Sequence, residues 1–207
     1  MSERRPRAPY QTLARGLRHE GERVKNSRFI VELRRCSDEA QARAAVTAMR
    51  AEFADAGHHC WAFRLYQGGA VRSSDDGEPG GSAGRPMLAM LMGRGLHDVV
   101  AVVTRYFGGT KLGVGGLARA YGGAVAKALD LAELEVVTPR RALILEHAYE
   151  QTTAVTTTLV ELGLAPTESD YGAAVRLRLE VPDAELEAAR AALIERCSGR
   201  LSFFEED

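Results

Sequence analysis

The feature that most constrains this chain is a glycine-rich stretch over residues 75–123. Thirteen of the chain's 21 glycines lie between positions 77 and 123. Glycine is costly to order, and it is favoured where the backbone needs a positive φ or a close approach to other groups. The glycines fall in three turns, and an apolar run follows each turn. This pattern predicts turns with exposed backbone N–H groups on a packed scaffold, so the stretch is the first candidate for a functional surface.

Length and composition place the chain among soluble globular proteins. It has 207 residues, of which 45% are hydrophobic and 27% charged, enough for one large or two small domains. No apolar run reaches the roughly 20 residues of a membrane span, and the basic N-terminus lacks the apolar segment of a secretory signal. The three cysteines are widely spaced and outside any CxxC motif, so neither a disulfide framework nor a structural zinc is indicated. We therefore expect a cytoplasmic protein that does not contact the membrane.

Charge is distributed unevenly along the chain. Residues 1–28 carry eight Lys/Arg and three Asp/Glu, whereas residues 141–207 carry six and thirteen, although the net charge is only −1. Such polarity is typical of a chain with one end that faces nucleic acid. A solvated basic tail and an acidic solvated face would give the same pattern, and the charge distribution alone does not decide between the two.

Hydrophobic periodicity predicts an α+β domain in the N-terminal two thirds. Residues 29–33 and 60–66 alternate as half-buried strands do. Residues 99–107 are almost continuously apolar and β-branched, as in a strand buried on both faces. Helical spacing of apolar residues predicts one helix over residues 38–53 and another from residue 117. The second of these helices is rich in small residues, so it would pack close to a sheet.

A second domain begins near Pro139. Its predicted elements follow the order βαββαβ, from a strand at residues 142–150 to a strand at residues 200–204, which is the ferredoxin-like arrangement. Glycines at positions 163 and 199 stand where helix C-termini are expected. We place the first domain at residues 1–138, with residues 1–9 as a basic tail, and the second at residues 139–207.

The first candidate site is a phosphate cradle. Residues 80–84 precede a predicted helix, whose entry lies at residues 82–86 with Ser82 as a favourable cap. The N–H groups and dipole of a helix N-terminus attract anions. Residues 113–116 precede the next helix in the same way. No Walker A motif is present, and the GxGxxA match at residues 113–118 lacks the tight βα turn and the acidic residue of a dinucleotide site. No cofactor is therefore indicated.

The second candidate is a carboxylate and histidine group formed by Asp75, Asp76, Glu78, His58 and His59. Such side chains bind divalent metals or transfer protons. Adjacent residues of a strand point to opposite faces, however, so the two histidines could not reach one ion. Asp-Gly is also a common turn dipeptide. The pattern favours a structural turn over a metal site, and no catalytic residue stands out.

The third candidate is a basic and aromatic surface. Arg105, Tyr106, Lys111 and Arg119 flank the glycine turns. Arginine and lysine contact phosphates, and aromatic faces stack on unpaired bases. Tyr121 fits the core better because it lies on the apolar stripe of its helix. Arg105 ends a strand predicted to be buried on both faces, so it needs either a partner or a site.

The same residues resemble the YigZ/IMPACT family, and the resemblance covers nearly the whole chain from about residue 10. It implies an N-terminal fold shared with a small-subunit ribosomal protein domain and with domain IV of elongation factor G. It also implies a C-terminal domain similar to domain V of that factor, and therefore contact with RNA or the ribosome. Eukaryotic members carry an extra RWD-type domain, for which the segment before residue 10 is too short, so their partner is not implied. The matching motifs are SDDGEP at residues 74–79, GSAG at residues 81–84, Pro86, RYFGG at residues 105–109, LGVGGL at residues 112–117, and Ala120-Tyr121.

The sequence thus predicts an α+β protein of two domains, an N-terminal α+β sandwich and a C-terminal ferredoxin-like βαββαβ domain. We expect a non-enzymatic protein that binds RNA or the ribosome in translation or its regulation under stress, without cofactor or metal. The acidic C-terminal domain is the candidate surface for a protein partner. The alternative is a phosphate-ligand-binding protein or enzyme that uses the same glycine-rich loops. The predicted binding residues are His58, His59, Asp75, Asp76, Gly77, Glu78, Gly81, Ser82, Gly84, Arg85, Arg105, Tyr106, Gly108, Gly109, Lys111, Gly115, Gly116 and Arg119.

Overall fold

The structure is a computed structural model that describes residues 7–204. The chain forms two compact units. One is Tyr10–Val137, and the other comprises residues 7–9 and 138–204. The backbone N–H and the guanidinium of Arg7 both donate to the buried Asp183 carboxylate, at 2.7 and 3.0 Å. Residues 7–9 therefore belong with the second unit and not with the N-terminal domain to which the sequence boundary assigned them, whereas residues 1–6 of the predicted tail lie outside the described residues.

The first unit is built on a five-stranded antiparallel sheet. The strand order is β2-β3-β6-β4-β5, and the short β1 and β7 pair in a separate ribbon. The strands are β1 (Tyr10–Leu13), β2 (Leu17–Glu20), β3 (Arg28–Arg35), β4 (His58–Arg64), β5 (Val71–Ser74), β6 (Val99–Tyr106) and β7 (Leu134–Val137), and the helices are α1 (Glu39–Glu52), α2 (Gly84–Gly93) and α3 (Val114–Leu131).

Helices cover both faces of this sheet, so the unit is a sandwich of three layers. On one face α2 and α3 bury Met87 and Tyr121 against Phe29 of β3. On the other face α1 buries Met49 against Phe63 of β4. The central strand β6 has all but its last residue buried, which explains its continuous apolar run.

The two helix starts differ in how they are capped. In α1 the Asp38 side chain accepts the Gln41 backbone N–H at 2.7 Å, which is the expected local N-cap. In α2 no local side chain caps the first turn, and the Ser82 hydroxyl is buried without a hydrogen-bond partner in the described chain. The helix does begin within the predicted entry at residues 82–86, but the prediction that Ser82 caps it is wrong, because a carboxylate from an earlier loop accepts those N–H groups instead.

The second unit is a four-stranded antiparallel sheet with the strand order β11-β8-β10-β9. Its core lies between this sheet and two helices. The observed order βαββαβ confirms the ferredoxin-like prediction, since hydrophobic periodicity alone separates strands from helices in this region. The elements are β8 (Arg140–His147), α4 (Thr152–Glu161), β9 (Pro166–Tyr171), β10 (Val175–Pro182), α5 (Leu186–Arg196) and β11 (Leu201–Phe204).

Within residues 7–204, no helix combines the length and apolar character that crossing a membrane requires.

Candidate functional site

The predicted binding residues gather at one end of the five-stranded sheet. Strand β6 ends there, and its antiparallel neighbours β3 and β4 begin there, so Arg105 pairs in register with Phe29 on one side and with His58 on the other. Three loops meet at this end, formed by residues 21–27, 75–83 and 107–113. We call this surface the glycine-rich end.

Asp75 occupies the N–H groups of the predicted phosphate cradle. Its carboxylate accepts the backbone N–H of Gly81 at 2.7 Å and those of Ala83 and Gly84 at 2.8 Å each. Burial alone would raise the pKa of Asp75, but these three hydrogen bonds and the charge of Arg85 outweigh it, so the pKa lies below its ordinary value. The start of α2 therefore already binds an anion, and that anion is the chain's own carboxylate.

Replacing Asp75 by asparagine should destabilise the first unit by on the order of 1–3 kcal/mol at neutral pH, because the new amide presents a donor to backbone donors. The folded-state pKa of Asp75 lies below its ordinary 3.8. The carboxylate's contribution is thus fully present above that unfolded-state value and is lost as the pH falls through the folded-state value. The stability gap between wild type and Asp75→Asn should narrow at about pH 3.

Urea unfolding followed by the fluorescence of Trp61 measures this gap, since Trp61 is the chain's single tryptophan and lies on β4. Asp55→Asn is the matched control, because the Asp55 carboxylate accepts only an exposed hydrogen bond from Tyr106. An Asp75→Asn gap of the same size at both pH values would contradict the assigned role of the carboxylate.

Arg105 and Glu78 form a buried ion pair beneath the surface. The Arg105 Nη1 lies 2.6 Å from Glu78 Oε1, and both side chains are at most 5% exposed. The same Oε1 accepts the Tyr121 hydroxyl at 2.7 Å, and Ser27 accepts from Arg105 at 3.3 Å. Arg105 therefore has the partner that its position required, and it supports the surface from below. Tyr121 is fully buried in the core, as its place on the apolar stripe indicated.

The two histidines point to opposite faces of the sheet, as adjacent strand residues should. His58 Nδ1 donates to the Asp76 carbonyl at 2.9 Å, and its Nε2 lies 3.9 Å from Glu78 Oε1. His59 Nε2 donates to the Phe53 carbonyl at 3.2 Å on the α1 side, and burial lowers the pKa of His59. Across residues 7–204, no group of three or more His, Cys, Asp or Glu side chains is placed to hold a metal ion.

Backbone strain is concentrated at the glycine-rich end. Lys25 and Asn26 have φ values of 48° and 64°, and they form a two-residue turn closed by two hydrogen bonds of 3.0 Å between Val24 and Ser27. Asp76 also has a positive φ, of 43°. Residues other than glycine that adopt this conformation cost on the order of 1 kcal/mol each, and such strain tends to collect at functional sites.

Free cations are also concentrated at this end. Ten of the seventeen Lys and Arg side chains of Tyr10–Val137 lie within 4.0 Å of a carboxylate, and seven have no ion pair with any described residue. Two of the seven, Arg64 and Lys127, lie elsewhere in the unit. The other five are exposed on or beside the three loops, and they are Arg23, Lys25, Arg85, Lys111 and Arg119.

An exposed aromatic ring lies on one of the three loops. Phe107 is 57% exposed, and the buried Arg105 guanidinium lies 5.6 Å from its ring centroid. Sequence reasoning included Tyr106 but missed Phe107, although the next residue after a fully buried strand is a natural place for a side chain to emerge. Tyr106 instead lies half-buried on the α1 face.

The remaining predicted residues lie on the same loops. Gly77 has a φ of 86° and packs on the His58 ring. Gly109 is exposed with a φ of 86°, and Gly108 contacts the turn at residues 25–26. Gly115 and Gly116 form the first turn of α3, where no side chain caps the N–H groups. Asp75, Glu78, Ser82 and Gly84 thus act inside the scaffold, whereas the exposed residues form its outer surface.

These observations define a class: a protein of two α+β units, the first a helix-covered antiparallel sheet with a cationic, glycine-rich end and the second ferredoxin-like. Residues 25–129 match the Impact N-terminal domain, and residues 145–200 match a domain described as a Domain of unknown function (DUF1949). The chain is 41% identical over 186 residues to IMPACT family member YigZ of Escherichia coli (strain K12), across 87% of this chain and 90% of that relative.

Two further comparisons agree. An IMPACT family member of Haemophilus influenzae (strain ATCC 51907 / DSM 11121 / KW20 / Rd) is 39% identical over 185 residues, which span 87% of this chain and 89% of the relative. A crystal structure described as that of a hypothetical protein superposes with a TM-score of 0.67 at 37% identity, over 97% of this chain and 98% of the other. The chain belongs to the IMPACT family, as its motifs indicated.

Proposed function

We propose that this protein binds RNA, free or within the ribosome, through the glycine-rich end, and that it acts in the cytoplasm in translation or its regulation under stress. The observation that carries the proposal is the concentration of cations without a described ion pair on and beside the loops of the glycine-rich end, one of which also carries the exposed ring of Phe107. The resemblance of the two domains to those of a translation factor adds to it.

For RNA binding, whether a cation is already paired with a carboxylate matters more than how many cations there are. A paired arginine must give up its carboxylate before it can bind a phosphate, and a free one need not. Free cations that neutralise phosphates release condensed counterions, which drives binding to nucleic acid. Arg23, Lys25, Arg85, Lys111 and Arg119 have no described carboxylate within 4.0 Å, although the charge of Arg85 also stabilises the Asp75 carboxylate. Arg28 beside them is held by Glu20 at 2.6 Å.

Phe107 supports single-stranded RNA as the ligand. An exposed aromatic face stacks on an unpaired base, and every base has a face of this kind. The neighbouring glycines leave space for the nucleic-acid backbone to approach the loop. The bound Asp75 carboxylate weighs against the alternative of a phosphate-ligand site at residues 80–84, because the N–H groups of that loop already have an acceptor.

The second unit carries a net negative charge, with eight Lys/Arg and ten Asp/Glu among its described residues, 7–9 and 138–204. An acidic surface repels phosphates. We therefore assign RNA binding to the first unit and propose that the second unit faces a protein partner.

Binding to ribosomes and to a single-stranded RNA oligomer at about 50 and about 200 mM salt tests the proposal. Wild-type affinity should fall by orders of magnitude over this range. In Lys111→Ala/Arg119→Ala the dependence of log affinity on log salt concentration should become shallower by about one unit per lost phosphate contact. Phe107→Ala should weaken binding by roughly 1–3 kcal/mol without changing that dependence.

Lys127→Ala is the matched control, because Lys127 is an exposed and unpaired cation on the same helix as Arg119 but outside the glycine-rich end. It should bind as wild type does. No binding at the lower salt concentration would exclude the proposal, and equal losses in Lys127→Ala and Lys111→Ala/Arg119→Ala would exclude the glycine-rich end as the site.

A further inference from the structure

The second unit contains a cavity of about 310 Å³ between α4 and the strands β9 and β10. No Asp, Glu, Lys or Arg side chain lines it. Its size is at the lower end of the range for small-molecule sites. The lining residues are His147, Thr152, Thr156, Leu159, Val160, Leu164, Ala165, Pro166, Ser169, Tyr171, Val175 and Leu177.

The cavity exists because β9 is an edge strand that the helices leave uncovered. Every residue of β9 is exposed, whereas Val175 and Leu177 of the neighbouring β10 are buried, as is Leu159 of α4. The apolar floor therefore belongs to the core of the unit, and the open side lies between α4 and β9, where Tyr171 is 67% exposed.

Two polar groups beside this apolar floor lack partners. His147 is only 3% exposed, and its Nδ1 donates to the Ala148 carbonyl at 2.9 Å. In the neutral ring its Nε2 is an acceptor, and it receives no hydrogen bond from any residue in the described range. The Thr152 hydroxyl is also buried without a partner there. Buried polar groups are nearly always hydrogen-bonded, so the buried Thr152 hydroxyl points to a ligand. The His147 ring lines the same cavity.

We propose that this cavity binds a small uncharged molecule with an apolar ring and one N–H or O–H donor. The uncharged lining selects against ions, because a charge removed from water needs an opposite charge. The apolar floor accommodates the ring, and the lone pair on His147 Nε2 accepts the donor. The site is independent of the glycine-rich end, so its failure would leave the RNA proposal untouched.

Titration of the full-length protein with indole and with 1-methylindole, followed by NMR, tests whether the ligand must donate a hydrogen bond. The two probes differ by one methyl group in place of the N–H. Indole should shift the signals of residues that line the cavity, and 1-methylindole should bind about tenfold or more weakly, as expected when a buried acceptor is left unpaired. Equal binding of the two probes, or no binding of indole at millimolar concentration, would overturn the proposal.

Three variants test whether indole binds in this cavity. Thr156→Phe should fill the cavity and abolish indole binding, whereas Thr157→Phe, the exposed neighbour on α4 that does not line the cavity, should leave binding unchanged. Thr152→Val keeps the shape and removes the unsatisfied hydroxyl. Because the single N–H of indole is assigned to His147 Nε2, this variant should bind indole about as wild type does, while the melting temperature stays the same or rises. Indole binding that survives Thr156→Phe would place the probe elsewhere and overturn the assignment.

Discussion

Gly108→Ala should destabilise the first unit by about 3 kcal/mol or more, since it forces an atom into a closely packed site. A Cβ on Gly108 would lie 2.1 Å from the Asn26 carbonyl carbon and 2.2 Å from the Ser27 nitrogen. These are backbone atoms of a turn closed by its own hydrogen bonds, so they cannot rotate away as a flexible side chain can. We expect the turn at residues 25–26 to separate from the loop at residues 107–113.

Two neighbouring glycines provide a graded control. Gly109 has no atom within 4 Å of its Cβ position but has a φ of 86°, so Gly109→Ala should cost roughly 1–2 kcal/mol through backbone strain alone. Gly80 has neither a close contact nor a positive φ, and Gly80→Ala should stay within about 0.5 kcal/mol of wild type. Urea unfolding monitored by Trp61 measures all three. Similar losses of stability in Gly108→Ala and Gly109→Ala would show that the close packing around Gly108 adds nothing to the cost of the substitution.

Gly108→Ala should also weaken RNA binding. The turn that it displaces carries Lys25, and the loop that it displaces carries Phe107 and Lys111, so one methyl group would separate cations that the proposed site needs together. Gly109→Ala leaves the turn in place, and its affinity for RNA should be close to that of wild type. Comparing the RNA affinities of these two variants therefore shows whether binding depends on the relative position of the turn and the loop, or only on the side chains that they carry.

The fold was largely predictable because local hydrophobic patterns in the sequence indicate most of its helices and strands. The alternation of Val175, Leu177 and Leu179 and the apolar run of β6 each depend on neighbours in the sequence, and both became strands. The start of α2 depends instead on Asp75, nine residues before the Gly84 N–H that it accepts. No local rule links those two positions, so the sequence indicated Ser82 as the cap of this helix.

The sequence indicated which loops form the candidate site, but not how their side chains are arranged. Glycine density identified the loops, and burial of the strand showed that Arg105 needed a partner. The partner, Glu78, lies 27 positions away in the loop between β5 and α2, and only the tertiary fold brings the two together. For the same reason Arg105 was expected among the surface cations, whereas the structure buries it. Lys25 was not among the predicted binding residues, because its place at the glycine-rich end depends on the packing of its turn against the distant Gly108.

Breaking the buried pair should have the other large effect. Glu78→Gln keeps the volume of the side chain but leaves the Arg105 guanidinium buried without a counter-charge, which should destabilise the first unit by about 3–5 kcal/mol. Arg105 Nε already lacks a partner in the described chain, so the site has no spare acceptor. Trp61 fluorescence in urea reports the loss. Glu20→Gln is the control, because the Glu20 pair with Arg28 is exposed and such pairs contribute about 1 kcal/mol or less.

A double variant decides whether the Glu78–Arg105 ion pair stabilises the first unit more than apolar side chains would, or only avoids the cost of one unpaired buried charge. Glu78→Leu/Arg105→Met replaces both charges by apolar groups, and exchanges of this kind are often neutral or stabilising. It should recover most of the stability that Glu78→Gln loses, although Ser27 and Tyr121 each lose a partner. If it does, and if it still binds RNA with the wild-type salt dependence, Arg105 positions the surface and makes no phosphate contact. A double variant as stable as wild type that has lost RNA binding would instead place Arg105 in the interface, where the sequence first put it.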